Sequence, residues 1–151
     1  MSFIGDILGG QAQQKAFERQ AQLDERNATV TKQNAEQAYD VYENYDRPKF
    51  DELAEENMGA LNVATAMSGA ESDSGTNLKV KLDNAYKLEN DKVMLKYNAV
   101  VKREEGLNTA IMQRAEADLN RYRGKAAKQA GYYKAIGSLL SDGKSVGLWG
   151  K

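Results

Sequence analysis

Carboxylates are the main side chains in this sequence whose chemistry could be catalytic. The 151 residues include 22 Asp and Glu but no His and no Cys, so His-based triads, thiolate nucleophiles and Cys/His zinc sites are excluded. The adjacent pairs Glu55-Glu56 and Glu104-Glu105 lie in stretches of helical composition. Adjacent side chains on a helix project about 100° apart, which is poor geometry for sharing a proton. We therefore expect no enzymatic activity and no cofactor.

Three residues near the middle of the chain could supply oxygen ligands to a metal ion, because Glu71, Asp73 and Asn77 follow one another at short intervals. The cluster lacks the central Gly and the terminal Glu of a calcium-binding loop. No Lys-Ser or Lys-Thr pair follows Gly75, as a phosphate-binding loop would require. The surrounding stretch of 69–77 is rich in Gly, Ser, Asp and Thr, which favour tight turns. The sequence therefore predicts a chain reversal here and no metal site.

Two long runs with few helix breakers flank this reversal. Their Ala, Gln, Lys and Glu content favours helix, and their nearly equal lengths favour antiparallel pairing. The sequence therefore predicts an all-α fold, an elongated antiparallel helical hairpin of two long helices that assembles as an oligomer. Five segments follow: an apolar N-terminal segment at 1–10, a first helical arm at 11–68, the polar hairpin tip at 69–77, a second long helix at 78–136 and a Gly/Ser-rich tail at 137–151.

Pro48, the single proline, interrupts the first arm. Inside a helix a proline removes one backbone hydrogen bond and clashes with the preceding turn. We expect the first helix to be kinked or broken near Asp46-Arg47. A restart would then place Pro48 in the first turn of the next helix, where proline is tolerated.

Apolar residues of the second arm recur at helical intervals and predict its packing face. The stripe is thin and rich in Ala, so it would bury little apolar area, and we expect neighbouring copies to stabilise it. Tyr39, Tyr42 and Tyr45 of the first arm recur every three residues and are interpreted as a further packing seam. The residues expected in helix or oligomer packing are Val93, Tyr97, Val100, Leu107, Ile111, Leu119 and Tyr122.

The formal net charge of −1 conceals an uneven distribution. Acidic residues dominate between Glu36 and Glu56, and basic residues dominate from Arg114 to the end. Two solvated faces would explain this pattern, and so would head-to-tail attraction between subunits or contact of the basic end with nucleic acid or anionic lipid. The candidate residues for contact with an anionic surface are Arg121, Arg123, Lys125 and Lys128.

Short apolar pieces lie at both ends of the chain, and a hairpin would bring them together at one pole. No run reaches the roughly 18 apolar residues of a membrane-spanning helix, and the first residues lack the basic region of a secretory signal. A Trp near Lys beside short apolar pieces suits a membrane interface and equally a protein partner. The candidate contact residues are Phe3, Ile4, Ile7, Leu8, Leu139, Leu140 and Trp149.

From the polar stretch onward the sequence carries the motifs MSGAESDSGTNLKV at 67–80, KYN at 96–98, RYRGKAA at 121–127 and GSLL at 137–140. This succession resembles the internal virion (DNA-ejection) proteins of short-tailed bacteriophages. The resemblance implies a protein packaged in the capsid near the portal, which later helps form the conduit for genome ejection across the host cell envelope. It implies as partners further copies of the chain, other internal virion proteins, the portal and, after ejection, DNA and the host membrane.

Two other functions are open from the sequence. A structural virion, scaffold or tail-adaptor coiled-coil protein would use similar helices and have no membrane role. A helical nucleic-acid-binding protein would use the basic end of the chain, and its affinity would fall steeply with rising salt concentration.

Overall fold

A computed structural model describes the backbone of residues 2–67 and 75–145, with side chains described over 3–67 and 75–141. Every described residue is helical, and the described ranges contain no strand. The predicted all-α fold, with two long helices that pack against each other, is confirmed. Most of the predicted hairpin tip lies outside the described residues, as does Trp149. The helices are α1 (Ser2–Val41), a π-helix (Tyr42–Asp46), α2 (Arg47–Met67) and α3 (Gly75–Ser145).

The helical path of the first arm continues through Pro48 without a break. In the turn before the proline the hydrogen bonding widens, and the backbone N–H of Arg47 donates to the carbonyl of Tyr42, five residues earlier. An α-helical turn would press the proline ring against the carbonyl four residues before it. The wider π-turn relieves this clash. Of the two predicted outcomes, a break is therefore wrong, because the chain stays helical from Ser2 to Met67.

Three helix boundaries differ from those predicted, one of them because α3 begins at Gly75, inside the predicted tip. The apolar segment at 1–10 belongs to α1, which already begins at Ser2, and α3 runs to Ser145 and so includes the first part of the predicted tail. Gly137 sits within α3 with no other atom near the place of its missing Cβ, and one open glycine costs a helix only about 0.5–1 kcal/mol. At the start of α3, Gly75 adopts a positive φ of 59°, which glycine tolerates at no steric cost.

The chain divides into two compact units, Met1–Thr31 with Asn108–Lys151 and Lys32–Leu107. In each unit, residues further along the first arm contact residues earlier in α3, so the helices are antiparallel. In the first unit Gly10 lies against Gly131, Phe17 against Gly124, and Asp24 against Asn120. In the second, Tyr39 lies beside Arg103 and Asp51 beside Lys92.

Small residues repeated every seven positions form the contact between the helices of the first unit. We call this contact the inner seam. A seven-residue period keeps a set of side chains on one face of a helix, and the absence of bulk lets the backbones approach closely. On α1 the inner seam contains Ala21 and Ala28, and on α3 it contains Ala110, Ala117, Gly124 and Gly131, all of them buried.

A methyl group at Gly131 is expected to destabilise the protein. Its Cβ would lie 2.9 Å from the carbonyl oxygen of Asp6 and 3.0 Å from the Cα of Gly10, and both are backbone atoms that cannot turn aside. We expect Gly131→Ala to lower the free energy of unfolding by about 1–3 kcal/mol in spite of the better helix propensity of alanine. Gly137→Ala, which meets open space, should raise it by about 0.5–1 kcal/mol. Urea unfolding followed by circular dichroism measures both, and equal signs would contradict the close approach.

Candidate functional site

Of the residues predicted to form the packing face of α3, three lie in the first unit, and none of these three belongs to the inner seam: Ile111, Leu119 and Tyr122. Four of the seven expose more than half of their surface: Val93, Tyr97, Ile111 and Tyr122. Leu119 is also exposed, and Val100 and Leu107 are half-buried. The helix contact instead uses the small residues of the inner seam, which the sequence signals only through their seven-residue recurrence. Whether the large residues pack against another copy stays a prediction, and their exposure leaves them free to do so.

The apolar residues of the N-terminal segment fall on two sides of α1. Phe3 and Ile7 are half-buried, whereas Ile4 and Leu8 are exposed. Leu139 and Leu140 of α3 are exposed as well. The first turns of α1 lie against α3 around Gly131, and a shallow groove of about 210 Å³ runs beside this contact. The start of α1 therefore lies beside the C-terminal part of α3, as a hairpin requires.

The four basic residues predicted to contact an anionic surface differ in their ion pairing and in their exposure. Arg121 donates to Glu25 on α1 at 2.6 Å and to Asp118 at 2.9 Å, and the bond to Glu25, followed by that to Asp118, raises the pKa of Arg121 above its ordinary value. Lys128 is half-buried. The described part of the chain offers no ion-pair partner to the exposed Arg123 and Lys125, so an anionic surface would meet these two side chains first. Of the four side chains that the sequence grouped together, Arg121 therefore stabilises the helix contact, and Arg123 and Lys125 are the exposed cations.

A polar layer interrupts the inner seam at Asp24, which is only 9% exposed. Its carboxylate accepts hydrogen bonds from Gln20 on the same helix at 3.0 Å and from Asn120 on α3 at 2.9 Å. A buried carboxylate is costly unless it is hydrogen-bonded, so Asp24 favours the one alignment of the helices that brings Asn120 opposite. The sequence reasoning missed this pair, because nothing local marks Asp24 as buried.

A second polar cluster surrounds the start of the π-helix. The Tyr39 hydroxyl donates to Glu43 at 3.1 Å, Arg47 donates to the other oxygen of Glu43 at 2.9 Å, and the guanidinium of Arg103 on α3 lies 5.0 Å from the centre of the Tyr39 ring. Tyr42 is buried with its ring 5.8 Å from that of Tyr39. Of the three tyrosines interpreted as a packing seam, Tyr39 and Tyr42 pack as expected, whereas Tyr45 is exposed.

A groove of about 260 Å³ opens beside this cluster and is lined by more basic than acidic residues. Two of its cations are already engaged, because Arg47 pairs with Glu43 and Lys92 pairs with Asp51 at 2.7 Å. The groove therefore has little free charge for an anion. Its lining residues are Tyr42, Arg47, Glu89, Lys92, Val93 and Lys96.

Removal of the Tyr39 hydroxyl should change how stability responds to alkaline pH. The bond to Glu43, helped by partial burial, raises the pKa of Tyr39 above its ordinary value of 10.0. A raised pKa means that folding favours the neutral phenol, so this contribution is complete below pH 10.0 and is lost as the pH rises through the higher pKa of the folded chain. We expect Tyr39→Phe to lower stability at pH 8 and to flatten the decline above pH 10, measured by urea unfolding. Tyr86→Phe, at an exposed position of α3, is the control and should leave the decline unchanged.

Within the described ranges, no three His, Cys, Asp or Glu side chains are grouped so that they could hold a metal ion. None of the described helical stretches has the length and apolar content that crossing a membrane requires.

Comparison with protein-family models, with curated proteins and with solved structures finds no match to this chain.

Proposed function

We propose that this protein is an internal virion protein of a short-tailed bacteriophage, packaged in the capsid near the portal, which helps form the conduit for genome ejection across the host cell envelope. The proposal rests on the resemblance of the motifs between residues 60 and 140. Its partners would be other copies of the chain, other internal virion proteins and the portal inside the particle, and DNA and the host membrane after ejection.

The composition of the core is the observation that supports this function. Among the described residues, the buried apolar side chains are alanines apart from Tyr42. Alanine buries little apolar surface, at roughly 25 cal/mol per Å², so each helix pair gains little from its own core. A protein of this kind can unfold at small cost to pass a narrow channel and can refold beyond it. There, neighbouring copies would complete the core that each chain lacks.

The ends of the chain are the surfaces proposed for contact with the host membrane. Ile4 and Leu8 on α1 are exposed apolar side chains, and Arg123 and Lys125 on α3 are exposed cations in the same unit. Apolar side chains that enter the interface and cations that meet anionic headgroups are the two contributions that hold a helix on a membrane surface.

Particles of the virus that encodes the chain provide the test. We expect the protein to be present in full particles and absent from particles that have released their genome, as measured by quantitative mass spectrometry of purified particles. The released protein should float with vesicles of anionic lipid, and Ile4→Asp with Leu8→Asp should abolish flotation, whereas Leu23→Asp with Val30→Asp on the same helix should not. Retention of the protein in emptied particles would contradict an ejection role.

A structural role in the virion is the second candidate, and the position of the exposed apolar residues favours it. Met112, Leu119 and Tyr122 recur at coiled-coil intervals within α3 and expose nearly half or more of their surface, which suits a permanent coiled-coil assembly better than a membrane anchor. A scaffold or tail-adaptor protein would stay with the emptied particle and would not float with vesicles. The two measurements therefore distinguish the candidates.

A further inference from the structure

Helix α3 carries a second heptad stripe on the side turned away from α1. We call it the outer stripe. Its members alternate at intervals of three and four residues, which is the spacing of a coiled-coil seam, and every one of them is exposed. The outer stripe consists of Met112, Ala115, Leu119, Tyr122, Ala126, Gln129, Tyr133, Ile136 and Leu140.

The outer stripe is separate from the inner seam. At 100° per residue, the centre of the stripe lies roughly 160° around α3 from the centre of the seam that faces α1. The stripe spans about 42 Å of helix and contains one polar residue, Gln129. Tyr122 and Tyr133 expose 71% and 75% of their surface. A regular apolar stripe of this length is typical of a helix that has a second helical partner.

We propose that the partner is a second copy of the same chain, with the two α3 helices parallel and in register along their outer stripes. In this arrangement each stripe residue meets its own counterpart, so the apolar layers match and Gln129 faces Gln129. A side-chain amide both donates and accepts hydrogen bonds, and therefore two copies satisfy each other. An apolar helix would leave this amide without a partner.

The charges that flank the stripe favour the parallel arrangement. In a parallel pair, the residue just before one layer faces a residue five positions further along the second copy. This places Asp118 opposite Arg123, twice in each dimer. Arg123 has no ion-pair partner within the described part of its own chain. Asp118 accepts one hydrogen bond from Arg121 of its own chain, but its side chain is 75% exposed and its carboxylate can accept another. On the flank of the stripe that contains Asp118, the exposed Ile111, Tyr132 and Leu139 extend the apolar surface.

An antiparallel alignment either covers the whole outer stripe or pairs opposite charges, but it does not do both. The alignment that covers the full stripe, with Met112 against Ile136 of the second copy, puts Arg123 opposite Arg123 and Lys125 opposite Lys125. Shifting it by one heptad brings Asp118 opposite Lys125. The same shift leaves the apolar residues at the C-terminal end of the stripe against polar ones, with Tyr133 facing Asn108 and Ile136 facing Glu105.

The oligomeric state of the purified chain tests the interface, and this inference does not depend on the proposed function. Sedimentation equilibrium should show a dimer that dissociates on dilution. Leu119→Asp should raise the dissociation constant at least about a hundredfold, because each dimer then places two carboxylates in an apolar layer. Val30→Asp, at an equally exposed position of α1 in the same unit, should leave it unchanged. Leu119 is outside the inner seam, so the variant should keep its helical circular dichroism.

The chain has no cysteine, so one introduced thiol reports the alignment. In the parallel dimer the Ala126→Cys variant brings two thiols together at one layer, within the range of a disulfide. Mild oxidation with copper–phenanthroline should therefore give a covalent dimer in high yield, whereas the exposed Ala16→Cys on α1 should give little. A chain that stays monomeric at its highest soluble concentration would overturn the interface. A dimer that resists Leu119→Asp would do the same, and a dimer without a cross-link at position 126 would overturn the parallel alignment.

Discussion

Replacement of Ala28 by leucine should destabilise the protein by about 1–3 kcal/mol or more. Ala28 has no exposed surface and lies in the inner seam, where the small residues Ala21 and Ala28 of α1 meet those of α3. Three additional heavy atoms at this position have no space to fill. The larger side chain must push the helices apart, and the contacts of the neighbouring small residues are lost with it. The free energy of unfolding in urea, followed by circular dichroism at 222 nm, measures the effect.

Ala16→Leu is the matched control, since Ala16 lies on the same helix and is exposed. Both substitutions change the intrinsic helix propensity equally, so a difference between them reports space in the seam alone. The control should fall within about 0.5 kcal/mol of the unchanged chain. If Ala28→Leu proved as harmless as Ala16→Leu, the helices would not meet through their small residues.

Removal of the Asn120 amide should be almost as costly. In Asn120→Ala the carboxylate of Asp24 keeps its bond from Gln20 but loses its only bond from α3 in the described part of the chain. A buried acceptor that loses its partner costs about 1–3 kcal/mol, which is the penalty of leaving the group desolvated. We expect Asn120→Ala to lower the free energy of unfolding by this amount in urea titrations at pH 7.

The double variant Asp24→Ala with Asn120→Ala should recover most of that loss. It converts the polar layer into one that resembles the neighbouring alanine layers of the inner seam, and replacing both partners of a buried hydrogen bond by apolar groups is often nearly neutral. The expected coupling energy is therefore positive and larger than about 1 kcal/mol. Strictly additive losses in the double variant would show that Asp24 and Asn120 do not interact.

The all-helical architecture could be predicted from the sequence because its signals are local. Helix-forming residues fill two long runs, and the turn-forming residues are concentrated between them. The consequence of Pro48 was harder to predict. Whether a helix breaks, kinks or widens at a proline depends on whether α3 holds the two sides in line, and that is a tertiary contact the sequence does not display.

The buried positions between α1 and α3 could not be predicted from hydrophobicity, for a physical reason. Large apolar residues give the strongest signal, but in a pair of closely approaching helices the core positions go to the smallest residues. Ala110 and Ala117 carry no hydrophobic signal of their own, whereas Leu119 and Tyr122 do and are exposed. Burial of Asp24 escaped prediction as well, since it depends on Asn120, which lies 96 positions away in the sequence.

The π-helix before Pro48 shifts the heptad pattern of the first arm by one residue. A single widened turn amounts to one extra residue in an otherwise regular helix, and everything after it is rotated by about 100°. Ala35 and Tyr42 are buried seven residues apart, but the next inward residue, Phe50, comes eight later. The first arm therefore has one heptad register before the π-helix and another after it, and the register changes at Tyr42–Asp46.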